Sequence, residues 1–387
     1  MKTTLETRNL FGYRGGPIRL TTGSVANSPR LANNTREYYN GADMKIRAVA
    51  IVLLLILALT GCRTQNDYYV VGTDEQKEEL RQLFTLLEDE TRQQSQMVLI
   101  EEIAGYLLQA GYPGRMRTFL TTFVERNPDH PYNAYFLLLV AKQYRDSSPE
   151  MSQHYYKRVV SNYADLTVNG TSVHYNALRE LVRLTEDPKE RLRHYHELVD
   201  RFDDKLDLGA TYYFMARTHE QLGEWDDAYA DYKNFLGYPE TEILGAPHAR
   251  EQIMRRVEFY DSSKNWTMDS LDRLVATIKN ALWRQDANLL LRYRADANFF
   301  AMSWEQEETD FNSQGPFNIG IFLQRSRVRF AEDIDINSNA REAYLRTWGW
   351  SHRIRTWYLY FRRVDFPADP DINGDWEWAG IFFGDAL

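Results

Sequence analysis

The strongest constraint on this 387-residue chain is a pattern that recurs through its middle. "MVLIEEIAGYLLQAGYPGRMRTFLTTFVERNPDH" begins at Met97, and "GATYYFMARTHEQLGEWDDAYADYKNFLGYPETE" begins at Gly209. Each is 34 residues long and reads as a helix, a turn containing Gly111 or Gly223, and a second helix ending near Pro128 or Pro239. Two weaker copies lie between them, around Tyr156 and Tyr195. These tyrosines align with Tyr232 at spacings of 39 and 37 residues, so the period is stretched by longer turns. A helical pair this short cannot bury its apolar face alone, so successive pairs must stack and share a core. Small residues at Ala216 and Ala228 allow the paired helices to approach closely, and larger residues fill the groove between pairs.

The spacing of these residues resembles the tetratricopeptide repeat. In the later copy Tyr212, Met215, Ala216, Gly223, Trp225, Ala228, Tyr232, Phe235 and Leu236 fall where that family wants large, small, glycine and aromatic residues, with Pro239 one place early. In the earlier copy Ile100, Ile103, Ala104, Leu107, Gly111, Phe123, Val124 and Pro128 match, while Met116 replaces a small residue. The resemblance covers about residues 75–260, with "DEQKEELRQLFTLLEDETRQQ" and "APHAREQIMRRVEFY" as capping helices. It implies an all-α solenoid whose concave groove binds an extended peptide or a partner helix. On that alignment the groove face carries Asn176, Glu180 and Arg183 from the third copy, and Tyr213, Arg217 and Glu220 from the fourth.

After residue 260 the period changes. Leu271, Leu274, Val275, Ile278 and Leu282 form one helical stripe, capped by Thr267 or Asp269, with a second helix following. "IGIFLQRSRVRF", "REAYLRTWGWS", "IRTWYLYFRRVDF" and "DWEWAGIFF" alternate and are rich in aromatic residues, as strands are. The last two flank an Asn373-Gly374 turn signal and are expected to pair as an antiparallel hairpin. Residues 267–387 are therefore predicted to form a smaller α+β domain with an antiparallel sheet. The order, with "LLLRYRADANFF" early and "GDWEWAGIFFG" last, resembles the nuclear transport factor 2-like family, which implies a pocket between helices and sheet. Trp348, Trp350, Trp357 and Trp378 are candidates to line such a pocket or to fill a core.

Near the other end, "MKIRAVAIVLLLILALTGCRTQ" begins at Met44. Its uncharged run Ala48–Leu59 has 12 residues, short of the roughly 20 that a membrane-crossing helix needs. Lys45 and Arg47 before it and small residues after it have the order of an export signal. Leu59-Thr60-Gly61-Cys62 resembles the lipobox of bacterial lipoproteins, which implies cleavage before Cys62 and a diacylglycerol on its thiol. Residues 1–43 then read as an over-extended or disordered leader, 44–61 as the signal peptide and 62–74 as a tether. Because Arg63 rather than Asp follows the cysteine, the resemblance implies delivery to the outer membrane, facing the periplasm.

Composition narrows the chemistry. Cys62 is the single cysteine, so no disulfide, thiolate metal site or second thiol is available. A net charge of −9 argues against nucleic acid, which needs a concentrated basic surface. Asp369, Asp371, Asn373 and Asp375 alternate as in a calcium loop, but the twelfth position from Asp369 is Gly380 where a bidentate Glu is required. The run Asp333, Asp335, Asn337, Asn339 fails likewise at Tyr344. His194 and His196 point to different faces of one helix. With no phosphate loop or catalytic triad pattern, the sequence predicts no enzyme, no metal and no cofactor beyond the lipid on Cys62. The expectation is a lipid-anchored scaffold or assembly adapter of the cell envelope with a protein or peptide partner. The alternative is an accessory ligand-binding lipoprotein whose pocket lies in residues 267–387.

Overall fold

Ten helices in succession occupy the stretch predicted to be repetitive. The computed structural model describes residues 65–306, 319–351 and 353–384. The leader 1–43, the signal 44–61 and Cys62 lie outside the described residues. The helices are α1 (Asp74–Asp89), α2 (Gln93–Gln109), α3 (Pro113–Arg126), α4 (Asn133–Tyr144), α5 (Pro149–Asn162), α6 (Val173–Leu184), α7 (Pro188–Phe202), α8 (Leu208–Leu222), α9 (Trp225–Leu236) and α10 (Ala249–Asp261). Tyr156, Tyr195 and Tyr232 sit in α5, α7 and α9, the second helix of successive pairs.

Local chemistry sets the helix ends. Thr73 and Gln76 form a reciprocal capping box at α1, and Asp187 and Asp207 cap α7 and α8. Prolines occupy the first turn of α3, α5 and α7, where a missing N–H does no harm. Gly223 ends α8 with a left-handed φ of 71°, which a side chain would strain. The stretched period has a visible cause between α5 and α6. There Thr167–Val168 (β1) and Thr171–Ser172 (β2) pair around Asn169-Gly170, both with positive φ, as an Asn-Gly hairpin does.

Packing follows the repeat logic, since helix contacts run mainly between consecutive elements. Ala216 and Ala228 are fully buried, as are Ile100, Ile103 and Leu107. Helix α4 is buried nearly all round, and its one polar interior residue, Asn133, donates from Nδ2 to Asn127 O and Pro128 O. Tyr69 and Val71, within the stretch expected to be a tether, join the core, where the Tyr69 ring lies 5.4 Å from that of Phe119.

The remaining elements are α11 (Leu271–Arg284), α12 (Ala287–Arg292), β3 (Phe300–Ser303), α13 (Ile319–Arg325), β4 (Arg329–Phe330), β5 (Glu342–Trp348), β6 (Thr356–Arg363) and β7 (Trp376–Phe383). The sheet order is β3-β7-β6-β5-β4. β6 and β7 form the expected antiparallel hairpin, but the sheet as a whole is mixed because β3 runs parallel to β7. Phe300 pairs with Gly380, and a Cβ on that glycine would fall 2.5 Å from the Phe300 ring. Two local expectations are corrected. The strand read into "IGIFLQR" is helix α13, because Ile319 and Leu323, four residues apart, are both fully buried while Ile321 is exposed. Neither Thr267 nor Asp269 caps α11; Ser270 does, accepting from Arg273 N.

Trp350, Trp357 and Trp378 fill the core between α11 and the sheet, with the first two stacked at 4.8 Å. Trp348 is 39% exposed. The helical array and the α+β part belong to one compact unit, Tyr68–Leu387. They share a core in which Val364 and Phe366, beyond β6, pack with Tyr229, Tyr232, Ile253 and Val257 of α9 and α10.

Candidate functional site

Two openings among the described residues combine charge with shape. The smaller, about 340 Å³, is a cleft on the array between α4 and α6. Asn176 and Glu180, predicted on the groove face, line it together with Lys142, Gln143, Arg145, Tyr156 and Arg179. Asn176 Nδ2 donates to Ser172 O one turn back, and Glu180 accepts from Arg183 at 2.7 Å. Tyr156 forms the buried floor beside Ser152, whose Oγ donates to Ala141 O. Burial, with Glu180 nearby, pushes the Tyr156 hydroxyl up to about 12. Lys142, Arg145 and Arg179 outnumber Glu180 in this lining, and although Arg145 is itself paired with Asp146 at 3.2 Å, the cleft keeps an excess of positive charge.

The groove residues of the fourth copy do not line that cleft. The Tyr213 ring packs edge-on to Phe235 at 5.4 Å and also against Tyr232. Glu220 is drawn into an ion pair with Arg256 of α10, and Arg217 remains exposed at 3.6 Å from the same carboxylate.

The larger opening, about 480 Å³, lies at the seam where α9 and α10 meet the end of β6. Trp225, Tyr229, Phe259 and Phe366 provide aromatic walls, and Arg255, Arg256, Arg362 and Arg363 provide charge. Arg256 donates to Tyr232 Oη and to Glu220, and although burial opposes its charge, these partners hold its pKa above the ordinary value. Arg362 Nε donates to Glu377 Oε1 at 2.7 Å, and Trp266 Nε1 donates to the other oxygen of that fully buried carboxylate at 2.7 Å. Arg363 Nε donates to Gly374 O. Asn298, held at a left-handed φ of 57°, donates from Nδ2 to Arg255 O, while its Oδ1 is buried without a partner.

Sequence reasoning missed this seam, although the chain carries a signal for it. Arg255-Arg256-Val257-Glu258-Phe259 on α10 and Arg362-Arg363-Val364-Asp365-Phe366 at the end of β6 are nearly the same pentapeptide. One copy is helical and the other leaves a strand, yet each contributes two arginines and a phenylalanine to one cavity.

Among the described residues one group has metal-ligating character: His219, Glu224 and Asp227, with ligand atoms within 4.8 Å of one another. His219 Nδ1 lies 2.8 Å from Glu224 Oε2, and Asp227 stands in the first turn of α9, where acids favour the helix dipole. A hydrogen-bonded His–Glu pair accounts for that geometry. The acidic loops are likewise engaged within the fold: Asp369 Oδ1 accepts from Asp371 N, Asn373 Oδ1 from Phe366 N and Asp335 Oδ1 from Asn337 N, while Asp375 Oδ2 accepts from the distant Thr267 Oγ1. No described helix is long and apolar enough to cross a membrane. No protein-family model matches the chain, and no curated protein matches it.

Proposed function

We propose that this chain is a bacterial lipoprotein, anchored through diacylglycerol on Cys62, that recognises another protein of the cell envelope through a tetratricopeptide-like groove and so acts as a scaffold or assembly adapter. The observation that carries the reading is the electropositive cleft containing Asn176 and Glu180, since a helical array with an open, charged inner face suits an extended acidic segment. The tryptophans of the α+β part support the same choice. Trp350, Trp357 and Trp378 occupy its centre, which disfavours the alternative of a ligand pocket inside a nuclear transport factor 2-like cone. The lipobox and Arg63 support an outer-membrane location facing the periplasm.

A photo-crosslinking amino acid at Asn176, compared with one at the exposed Ile336 of the α+β part, tests the groove. A discrete adduct from position 176 that disappears with Arg179→Glu supports recognition there. Identical adducts from both positions, or none from position 176, overturn it. Radioactive palmitate tests the anchor: label in the native chain and none in Cys62→Ala is expected, and equal label in both rules the anchor out.

A further inference from the structure

We propose that the seam cavity binds the carboxy-terminal residue of a polypeptide, with its carboxylate toward the arginines, its N–H toward Asn298 and its apolar side chain against the aromatic wall. The size is suitable, since pockets for small groups run from about 300 to 1,000 Å³ and this one holds about 480 Å³.

Charge sets the first requirement. Four guanidinium groups face the opening, against Asp365 and a Glu377 already held by Arg362 and Trp266. Arg256 is turned to Glu220 and Tyr232, but Arg363 uses only Nε, toward Gly374 O. Its two terminal nitrogens remain as a planar fork suited to a carboxylate.

The unpaired Asn298 Oδ1 sets the second requirement. Because Nδ2 is committed to Arg255 O, the amide orientation is fixed, and the buried Oδ1 of this cavity-lining residue can only accept. A bare anion offers it nothing, whereas a peptide N–H one bond from the α-carbon satisfies it. Trp225, Tyr229, Phe259 and Phe366 set the third, a side chain of apolar or aromatic character. Anion, N–H donor and apolar side chain on one centre describe the last residue of a chain. The inference deepens the protein-recognition reading, but single-residue probes test it without the array cleft, so the two can fail separately.

The test titrates full-length protein in detergent with acetyl-Gly-Ala-Phe as the free acid, with its carboxamide, with acetyl-Asp-Phe-Gly carboxamide and with inorganic phosphate, followed by calorimetry. The expected result is at least a tenfold preference for the free acid over its amide, falling below threefold in Arg363→Gln, whose exposed side chain makes folding insensitive to the change. Ala368→Trp, which fills the cavity from its rim, is expected to abolish binding. Equal affinity for acid and amide overturns the proposal. So does phosphate binding as tightly as the peptide, which marks a general anion site, or the internal aspartate peptide matching the free acid. Full retention of the preference in both variants, each with a native circular dichroism spectrum, places the binding elsewhere and also overturns it.

Discussion

In the helical array each pair of helices leans on its neighbours in sequence, whereas in the α+β part strands distant in sequence close over one aromatic centre. The array accordingly distributes its core along its length and buries polar groups within it: His130, His174 and Asp231. The α+β part concentrates its core on Trp350, Trp357 and Trp378, and its one deeply buried carboxylate among the described residues, Glu377, is doubly hydrogen-bonded. A neighbour-only stack tolerates local defects, because loss of one contact need not propagate. A closed cluster does not.

The largest expected effect comes from testing that difference directly. Trp378→Ala removes a fully buried ring that meets Phe299 at 5.3 Å and donates from Nε1 to Gly380 O. It is expected to destabilise by about 4 kcal/mol. Hydrogen exchange should show protection lost throughout β5, β6, β7 and α11. Ile100→Ala, also at a fully buried position, is expected to cost about 3 kcal/mol. Its loss of protection should stay within α1–α3. Spread of the Ile100→Ala effect into β6 would remove the contrast.

These regions also differed in how far the sequence revealed them. The array was legible because its signals are local: Ala216 beside Ala228, Gly223 at a left-handed turn, tyrosines at matching places in α5, α7 and α9. Its irregularity was legible only in part, since the β1–β2 hairpin rests on the Asn169-Gly170 pair rather than on helical spacing. In the α+β part, β5 alternates between buried and outward residues as expected, whereas β6 and β7 are buried on both faces and were legible from their aromatic content. Phe300–Ser303 did not, because four residues joining β7 in parallel acquire strand geometry from a partner some 80 positions away. "IGIFLQR" misled because its alternation and its four-residue spacing both fit, and burial of Ile319 and Leu323 decided between them. The cleft residues Asn176 and Glu180 were reachable by alignment. Arg255 and Arg363 were not, because no spacing within one element brings a helix and a strand end to the same cavity.

An intermediate effect is expected at the seam. Phe366 lies 5.2 Å from Phe259 and 6.4 Å from Tyr229, while its N–H donates to Asn373 Oδ1 within the β6–β7 loop. Phe366→Ala should therefore leave both cores intact and weaken their connection by about 3 kcal/mol. If the shared core is what makes the two parts unfold together, the variant should show two separated urea transitions where the native chain shows one. A single transition at lower urea would mean that the parts remain coupled through Glu377 and Trp266 instead.

The smallest effect is pH-dependent and sharpens the comparison by sign. His130 is held neutral by its surroundings: Tyr132 N donates to Nδ1, and Nε2 faces Gln96 Oε1 at 3.2 Å. Arg201 Nη2 donates to His174 Nδ1 at 2.9 Å, a bond that protonation would break. Burial lowers the pKa of both rings, and of His194, whose Nε2 is buried without a partner. The unfolded chain thus binds protons on these histidines before the folded chain does, so stability falls as pH drops below about 6.5 and gains nothing more above it. Asp231 has the opposite sign. Burial raises its pKa, so its contribution is present in acid and lost as pH rises above about 4. In β5 and β6 the displaced groups are Tyr344 and Tyr360, both pushed upward by burial and so unable to respond below neutrality. Moving from pH 7.5 to 5.5 should therefore reduce exchange protection, corrected for intrinsic rates, in α4–α7 and leave β5–β7 unchanged. An equal loss in the sheet would show that the shared core transmits the acid effect, which would make the seam stiffer than the array it joins.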